Sequence, residues 1–183
     1  MAKVYMFLAD GFEEVEGLTV VDLLRRAEIE VVMTSIMGRQ EVTGTNGITV
    51  KADRLFEDVN VSDADMLVLP GGQPGTTNLG AHKPLAELLL KWNSEGGRLA
   101  AICAAPTVFG GLGLLKGKKA TCYPGCEGGL DGAHTTEERV VTDGNITTSR
   151  GVGTAIAFGL ELIAILVNKE TADKIKTSIV YGH

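Results

Sequence analysis

The chain has 183 residues, 44% of them hydrophobic, and a formal charge of −6 at neutral pH. That length fits one domain with a substantial core, and that apolar content excludes a disordered chain. The acidic balance argues against nucleic acid or an anionic membrane as the main partner. Three cysteines are an odd number, which excludes a complete disulfide framework and points to a reducing compartment. The longest apolar stretch, Ala155 to Val167, is broken by Gly159 and Glu161 and is too short and too polar to span a membrane. The first ten residues lack a long apolar core and a small-residue cleavage site, so a cytoplasmic protein is expected.

Val4 to Ala9 is apolar throughout and predicts a first strand buried on both faces. Apolar residues at Val15, Leu18, Val21, Leu23 and Leu24 are close to helical spacing and predict a helix over Glu14 to Ala27. Ile29 to Ser35 reads as a second strand. Gln40 to Asp53 reads as a hairpin turning at Thr45-Asn46-Gly47. Ala64 to Leu69 is a third buried strand, stopped by Pro70-Gly71-Gly72. An amphipathic helix follows over Lys83 to Ser94, ended by Glu95-Gly96-Gly97. Arg98 to Ile102 is the strand into Cys103, and Thr107 to Leu115 is a Gly-rich helix. Lys119 to Cys122, Val140-Val141 and Ile146 to Ser149 read as strands, and Thr154 to Val167 and Thr171 to Val180 as closing helices. Strand and helix alternate with short connections, which implies one α/β domain over residues 1–183 with a parallel sheet covered on both faces. Ligands bind beyond the carboxyl ends of such strands. The loops after Ala9 and Leu69 and the turn at Cys103 should therefore meet.

Cys103 is the strongest candidate for chemistry. An apolar strand ends on it, and Pro106 opens the following helix, where a missing N–H does no harm. Free amides and the helix dipole at such a turn favour a thiolate. Pro70-Gly71-Gly72-Gln73-Pro74-Gly75 is either a tight turn or, through the amides of Gly72 and Ala104, an oxyanion hole beside the thiol. It is neither a phosphate loop nor a dinucleotide fingerprint. Glu13, Glu14 and Glu16 offset a helix dipole; Glu16, one turn in, could instead face the sheet edge and shuttle a proton. His134 is a solvated loop histidine or a base for the thiol. His82 and His183 have no chemical context. Cys122 and Cys126 lack the fourth ligand and the pairing of a zinc site, so no metal is expected. One of the two reads instead as a buried strand residue, and either, if it lies close, as a resolving thiol for Cys103.

Four segments in register carry a resemblance. They are Gly11-Phe-Glu-Glu14-Val-Glu16, Val68-Leu-Pro70-Gly71-Gly72, Ala100-Ala-Ile-Cys103-Ala-Ala-Pro106-Thr107 and Thr148-Ser-Arg150-Gly151-Val-Gly153-Thr154. Together they resemble the DJ-1 branch of the DJ-1/ThiJ/PfpI superfamily. The resemblance implies a flavodoxin-like three-layer α/β sandwich with a small hairpin, and a homodimer. It makes Cys103 the reactive cysteine and Glu16 the protonated glutamate that hydrogen-bonds to it. Gly72 and Ala104 become the backbone donors, Gly71 and Thr107 substrate contacts, and Asp22 and Arg26 neighbours of the dimer interface. His134 lies close to the family's site histidine, although the segment after it is shorter here. Thr45-Asn46-Gly47 stands where some relatives bring an Arg to the site.

The function implied is a cofactor-independent glyoxalase III or protein deglycase acting on methylglyoxal, glyoxal or proteins glycated by them. An alternative is a redox-sensing chaperone whose cysteine is oxidised to a sulfinate without turnover. A peptidase is disfavoured because Ala104 stands where the PfpI branch has a His beside the thiol.

Overall fold

In a computed structural model describing residues 1–182, the apolar runs of the sequence become the middle of a seven-stranded sheet. In chain order the strands begin β1 (Lys3–Leu8), β2 (Glu30–Ser35), β3 (Glu41–Thr43), β4 (Thr49–Lys51), β5 (Arg54–Leu55) and β6 (Met66–Leu69). They continue β7 (Arg98–Ile102), β8 (Lys119–Ala120), β9 (His134–Thr135), β10 (Val140–Asp143) and β11 (Ile146–Ser149). The helices are α1 (Glu14–Arg26), α2 (Gly75–Ala81), α3 (Lys83–Ser94), α4 (Pro106–Gly111), α5 (Ala155–Leu166) and α6 (Lys169–Ser178). The sheet order is β10-β11-β7-β6-β1-β2-β5, parallel throughout except for the antiparallel β10–β11 pair. Parallel neighbours need crossover segments, and these place helices on both faces. The result is a flavodoxin-like three-layer α/β sandwich, with β3 and β4 as a separate antiparallel hairpin.

Side chains alternate across β1 and so feed two cores. Val4, Met6 and Leu8 join α1, α5 and α6 on one face, while Tyr5, Phe7 and Ala9 join α3 and α4 on the other. Each large apolar side chain fully buried this way contributes roughly 1.5–3 kcal/mol. Gly159, which interrupts the apolar run of α5, lets α5 lie close against α1. A Cβ added there would stand 2.7 Å from Leu23 Cδ1.

Two helices differ most from the sequence reading. Residues 75–81, Gly-Thr-Thr-Asn-Leu-Gly-Ala, form a helix although their composition suggests a loop. Tertiary contacts hold it: Leu79 is fully buried, and Asn78 Nδ2 donates to the Asp10 carbonyl at 2.9 Å. Helix α4 stops at Gly111, short of Leu115. Gly113 (φ +73°) donates to the Gly110 carbonyl and Leu114 donates to that of Phe109, a glycine-closed helix end.

Candidate active site

Strand β7 runs apolar and buried to Ile102, and the chain then turns at Cys103 with φ of +66°. That left-handed conformation costs a residue with a side chain roughly 1–2 kcal/mol. Neighbouring segments hold it: the Cys103 N–H donates to the Ser149 carbonyl at 3.0 Å, and the Cys103 carbonyl accepts from the Tyr123 N–H at 2.8 Å. The turn lifts the thiol above the carboxyl edge of the sheet.

Glu16 reaches the same place from the first turns of α1 and is only 1% exposed. Its Oε2 accepts the Gly71 N–H at 3.0 Å, and its carboxyl lies within hydrogen-bonding reach of the Cys103 thiol. Gly71 leaves room for both. A Cβ at that position would fall 2.5 Å from Cys103 Cβ, 2.5 Å from Glu16 Oε2 and 2.9 Å from the Ile102 carbonyl oxygen. The backbone N–H groups of Gly72 and Ala104 face the sulfur. Four of the residues singled out in the sequence, Cys103, Glu16, Gly72 and Ala104, thus converge, with Gly71 packed between them.

Burial pushes the Glu16 carboxyl up to about 7, against the opposing hydrogen bonds from Cys103 and Gly71. Burial, and then the charge of Glu16, push the Cys103 thiol up to about 12. This differs from the free thiolate that the helix-start argument predicts. Helix α4 has six residues, too few for a strong dipole, and the sulfur shares its environment with a carboxylate. Two acidic groups in contact cannot both ionise cheaply, so above about pH 7 the pair carries one proton and one negative charge, and below it both protons. Glu16 is the group placed to take the proton when the sulfur attacks.

The thiol opens into a pocket of about 610 Å³ whose lining includes Glu13, Glu16, Tyr123, Arg150 and Thr154. Arg150 is the one cation in that lining; its Nε and Nη1 donate to the carbonyls of Cys122 and Glu137, each at 3.3 Å. Thr154 Oγ1 accepts from the N–H groups of Arg150 and Gly151 at 3.1 and 3.0 Å, which fixes the loop after β11. Sequence reasoning assigned no role to Tyr123 or Arg150. The position of Arg150, just beyond a strand paired with β7, was the available signal. Glu14 was read only as a dipole partner. It is 3% exposed, and its carboxylate accepts from the N–H groups of Asn46 and Ile48 and from Asn46 Nδ2, at 2.8, 3.2 and 3.0 Å. It therefore anchors the β3–β4 turn beside the pocket.

Other sequence candidates stand elsewhere. Thr107 Oγ1 donates to the Ala104 carbonyl at 2.7 Å, behind the turn. His134 is exposed on β9, paired with Lys119, and does not line the pocket. Asp22 and Arg26 form a 2.6 Å ion pair on an exposed part of α1. His82 caps α3, its Nδ1 accepting the Leu85 N–H at 3.2 Å. His183 lies outside the described residues. Among the described residues, no three His, Cys, Asp or Glu side chains are grouped to hold a metal ion, so Cys122, Cys126 and His134 do not converge. Nor is any helix among them long and apolar enough to cross a membrane.

Residues 2–165 match the DJ-1/PfpI family. The chain is 41% identical over 97% of its length to protein DJ-1 homolog B of Arabidopsis thaliana, of which it spans only 41%. It is 35% identical to protein dj-1beta of Drosophila melanogaster, covering 97% of this chain and 96% of that one. It is also 35% identical to a deglycase of Pyrococcus abyssi, over 90% of this chain and 99% of the relative. Among solved structures, oxidised DJ-1 of Toxoplasma gondii superposes with a TM-score of 0.95 at 37% identity, with both chains covered completely.

Proposed function

The chain belongs to the DJ-1/PfpI family, and from that premise we propose that it converts small α-oxoaldehydes, methylglyoxal and glyoxal, to hydroxy acids without a cofactor. The observation that carries this reading is the meeting of Cys103, Glu16 and the amides of Gly72 and Ala104 at an open pocket. The deglycase among the relatives supports the same substrate class and extends it to early aldehyde adducts on proteins.

The Glu16 carboxylate takes the thiol proton as the Cys103 sulfur bonds to the aldehyde carbon. The carbonyl electron pair moves onto oxygen, where the N–H groups of Gly72 and Ala104 meet it. Glu16 passes that proton to the oxygen, which gives a hemithioacetal and restores the carboxylate. Glu16 then accepts the proton on the former aldehyde carbon, giving an enediolate; a proton moves from the first oxygen to the second, and Glu16 returns its own to the adjacent carbon. Water releases the resulting thioester as lactate or glycolate. A group whose pKa lies near 7 is suited to both halves of that transfer. The protein works as a homodimer in the cytoplasm, with Asp22 and Arg26 near the subunit interface.

Lactate formation from methylglyoxal by the wild type, Cys103→Ala and Glu16→Gln is the test. Loss in both variants is expected; equal rates in all three would remove the proposal. A second reading, oxidation sensing, is favoured by the same amides, which could hold the oxygens of a sulfinate beside a protonated Glu16. Peptide mass spectrometry after mild peroxide should find Cys103 oxidised ahead of Cys122 and Cys126, and equal oxidation of the three would count against it.

A further inference from the structure

Cys122 and Cys126 take no part in the chemistry assigned to Cys103, yet they bracket part of its pocket. Between them lies the turn Tyr123-Pro124-Gly125-Cys126, closed by the Cys126 N–H on the Tyr123 carbonyl at 3.0 Å. Pro at the second position and Gly125, with φ of +93°, at the third make a type II turn. The chain therefore folds back between the two cysteines. Cys122 is buried and Cys126 half-buried, and both pack on the cluster beneath α3 and α4. Cys103 packs on the opposite face of the sheet. The Tyr123–Cys103 backbone bond brings the loop beside the catalytic turn, but the Cys103 and Cys122 side chains pack in different clusters. The partner left for Cys122 is Cys126. After burial and the charge of Glu127, the charge of Cys126 also raises the Cys122 thiol.

We propose that Cys122 and Cys126 form a reversible disulfide, made by exchange with low-molecular-weight disulfides, and that its closure is felt at the Cys103 pocket. The Cys126 thiolate attacks one sulfur of the external disulfide, forming a mixed disulfide and releasing one small thiol. Cys122 gives up its proton and attacks the Cys126 sulfur, expelling the second small thiol. Two protein thiols are oxidised, one external disulfide is reduced, and both protons end on the released thiols. Burial pushes Cys122 up to about 11 and also raises Cys126, aided by the charge of Glu127. Thiols of high pKa attack seldom and leave poorly, so the bridge forms slowly and persists. Tyr123 and Pro124 line the pocket, and a Cβ at Gly151 would stand 3.4 Å from Tyr123 Cδ2 and 3.8 Å from Glu16 Oε1. A bridge at the base of the turn restrains that wall.

The test is tryptic mapping of the whole protein after incubation with oxidised glutathione. Both cysteines fall in the peptide Ala120–Arg139, and Cys103 falls in Leu99–Lys116. The first peptide should lose two hydrogens, regain them with dithiothreitol and stay unbridged in Cys126→Ser; Cys122→Ala should keep glutathione on Cys126. A wild-type peptide that stays unmodified, or keeps glutathione without closing the bridge, would overturn the pairing. With the bridge closed, Cys103 alkylation by iodoacetamide should slow several-fold, and an unchanged rate would overturn the link to the pocket. Neither readout uses aldehyde turnover, so failure here is distinguishable from failure of the proposed activity.

Discussion

Replacing Glu16 with Gln removes an ionisable group while keeping its size and an oxygen for the Gly71 N–H. In the unfolded chain the Glu16 carboxyl has its ordinary value of 4.5, and burial raises it to about 7 in the fold. Between those values the folded chain holds a proton that the unfolded chain has released. Its contribution is therefore complete below 4.5 and is lost as pH rises through about 7. At about 1.4 kcal/mol per pH unit, that window amounts to about 3 kcal/mol. Cys103, pushed up to about 12, stays protonated throughout it and adds nothing. Urea unfolding of wild type and Glu16→Gln should show their stability difference shifting by about 2–3 kcal/mol against the wild type between about pH 5 and about pH 8. A difference constant to within about 0.5 kcal/mol would refute the argument that burial controls this carboxyl.

The same coupling predicts that Cys103 alkylation rises through an inflection near 7, set by Glu16, and that Glu16→Gln abolishes the inflection; stopped alkylation across a pH series checks it. Gly71→Ala drives a methyl group into Cys103 and Glu16, so thermal unfolding should report a loss of about 1–3 kcal/mol together with slowed alkylation. Cys103→Gly should be at least as stable as Cys103→Ala, because Ala keeps the strain of φ +66°; at an ordinary position Gly would be about 1 kcal/mol worse, and that order in denaturant titrations would contradict the strained turn. Glu14→Ala leaves the N–H groups of Asn46 and Ile48 without their acceptor, so hydrogen exchange at those two amides should accelerate and stability fall by roughly 1–3 kcal/mol.

What could be read in advance was what depends on local pattern. The two-sided apolar run of β1, the helical spacing of α1 and α3, and the strand that breaks at Cys103 all carry their own signals, and they place the candidate nucleophile correctly beyond the sheet edge. What could not be read depends on partners distant in sequence. Helix α2 has the composition of a loop and is helical because Leu79 is buried and Asn78 reaches Asp10. Glu14 looks like any acidic residue at a helix start until the turn at Asn46, more than thirty residues on, folds over it. The ionisation of Cys103 could not be judged from a following Pro, since it turns on how deeply Glu16 is buried beside it.

The two borders of the sheet are unlike its middle. One ends in β5, two residues long, and the other in β10, an antiparallel strand whose Asp143 Oδ2 accepts the Lys119 N–H of β8 at 2.8 Å. Neither margin offers a long, flat row of unpaired amides for a foreign strand to extend. Margins of this kind guard the folded chain against edge-to-edge recruitment into fibrils.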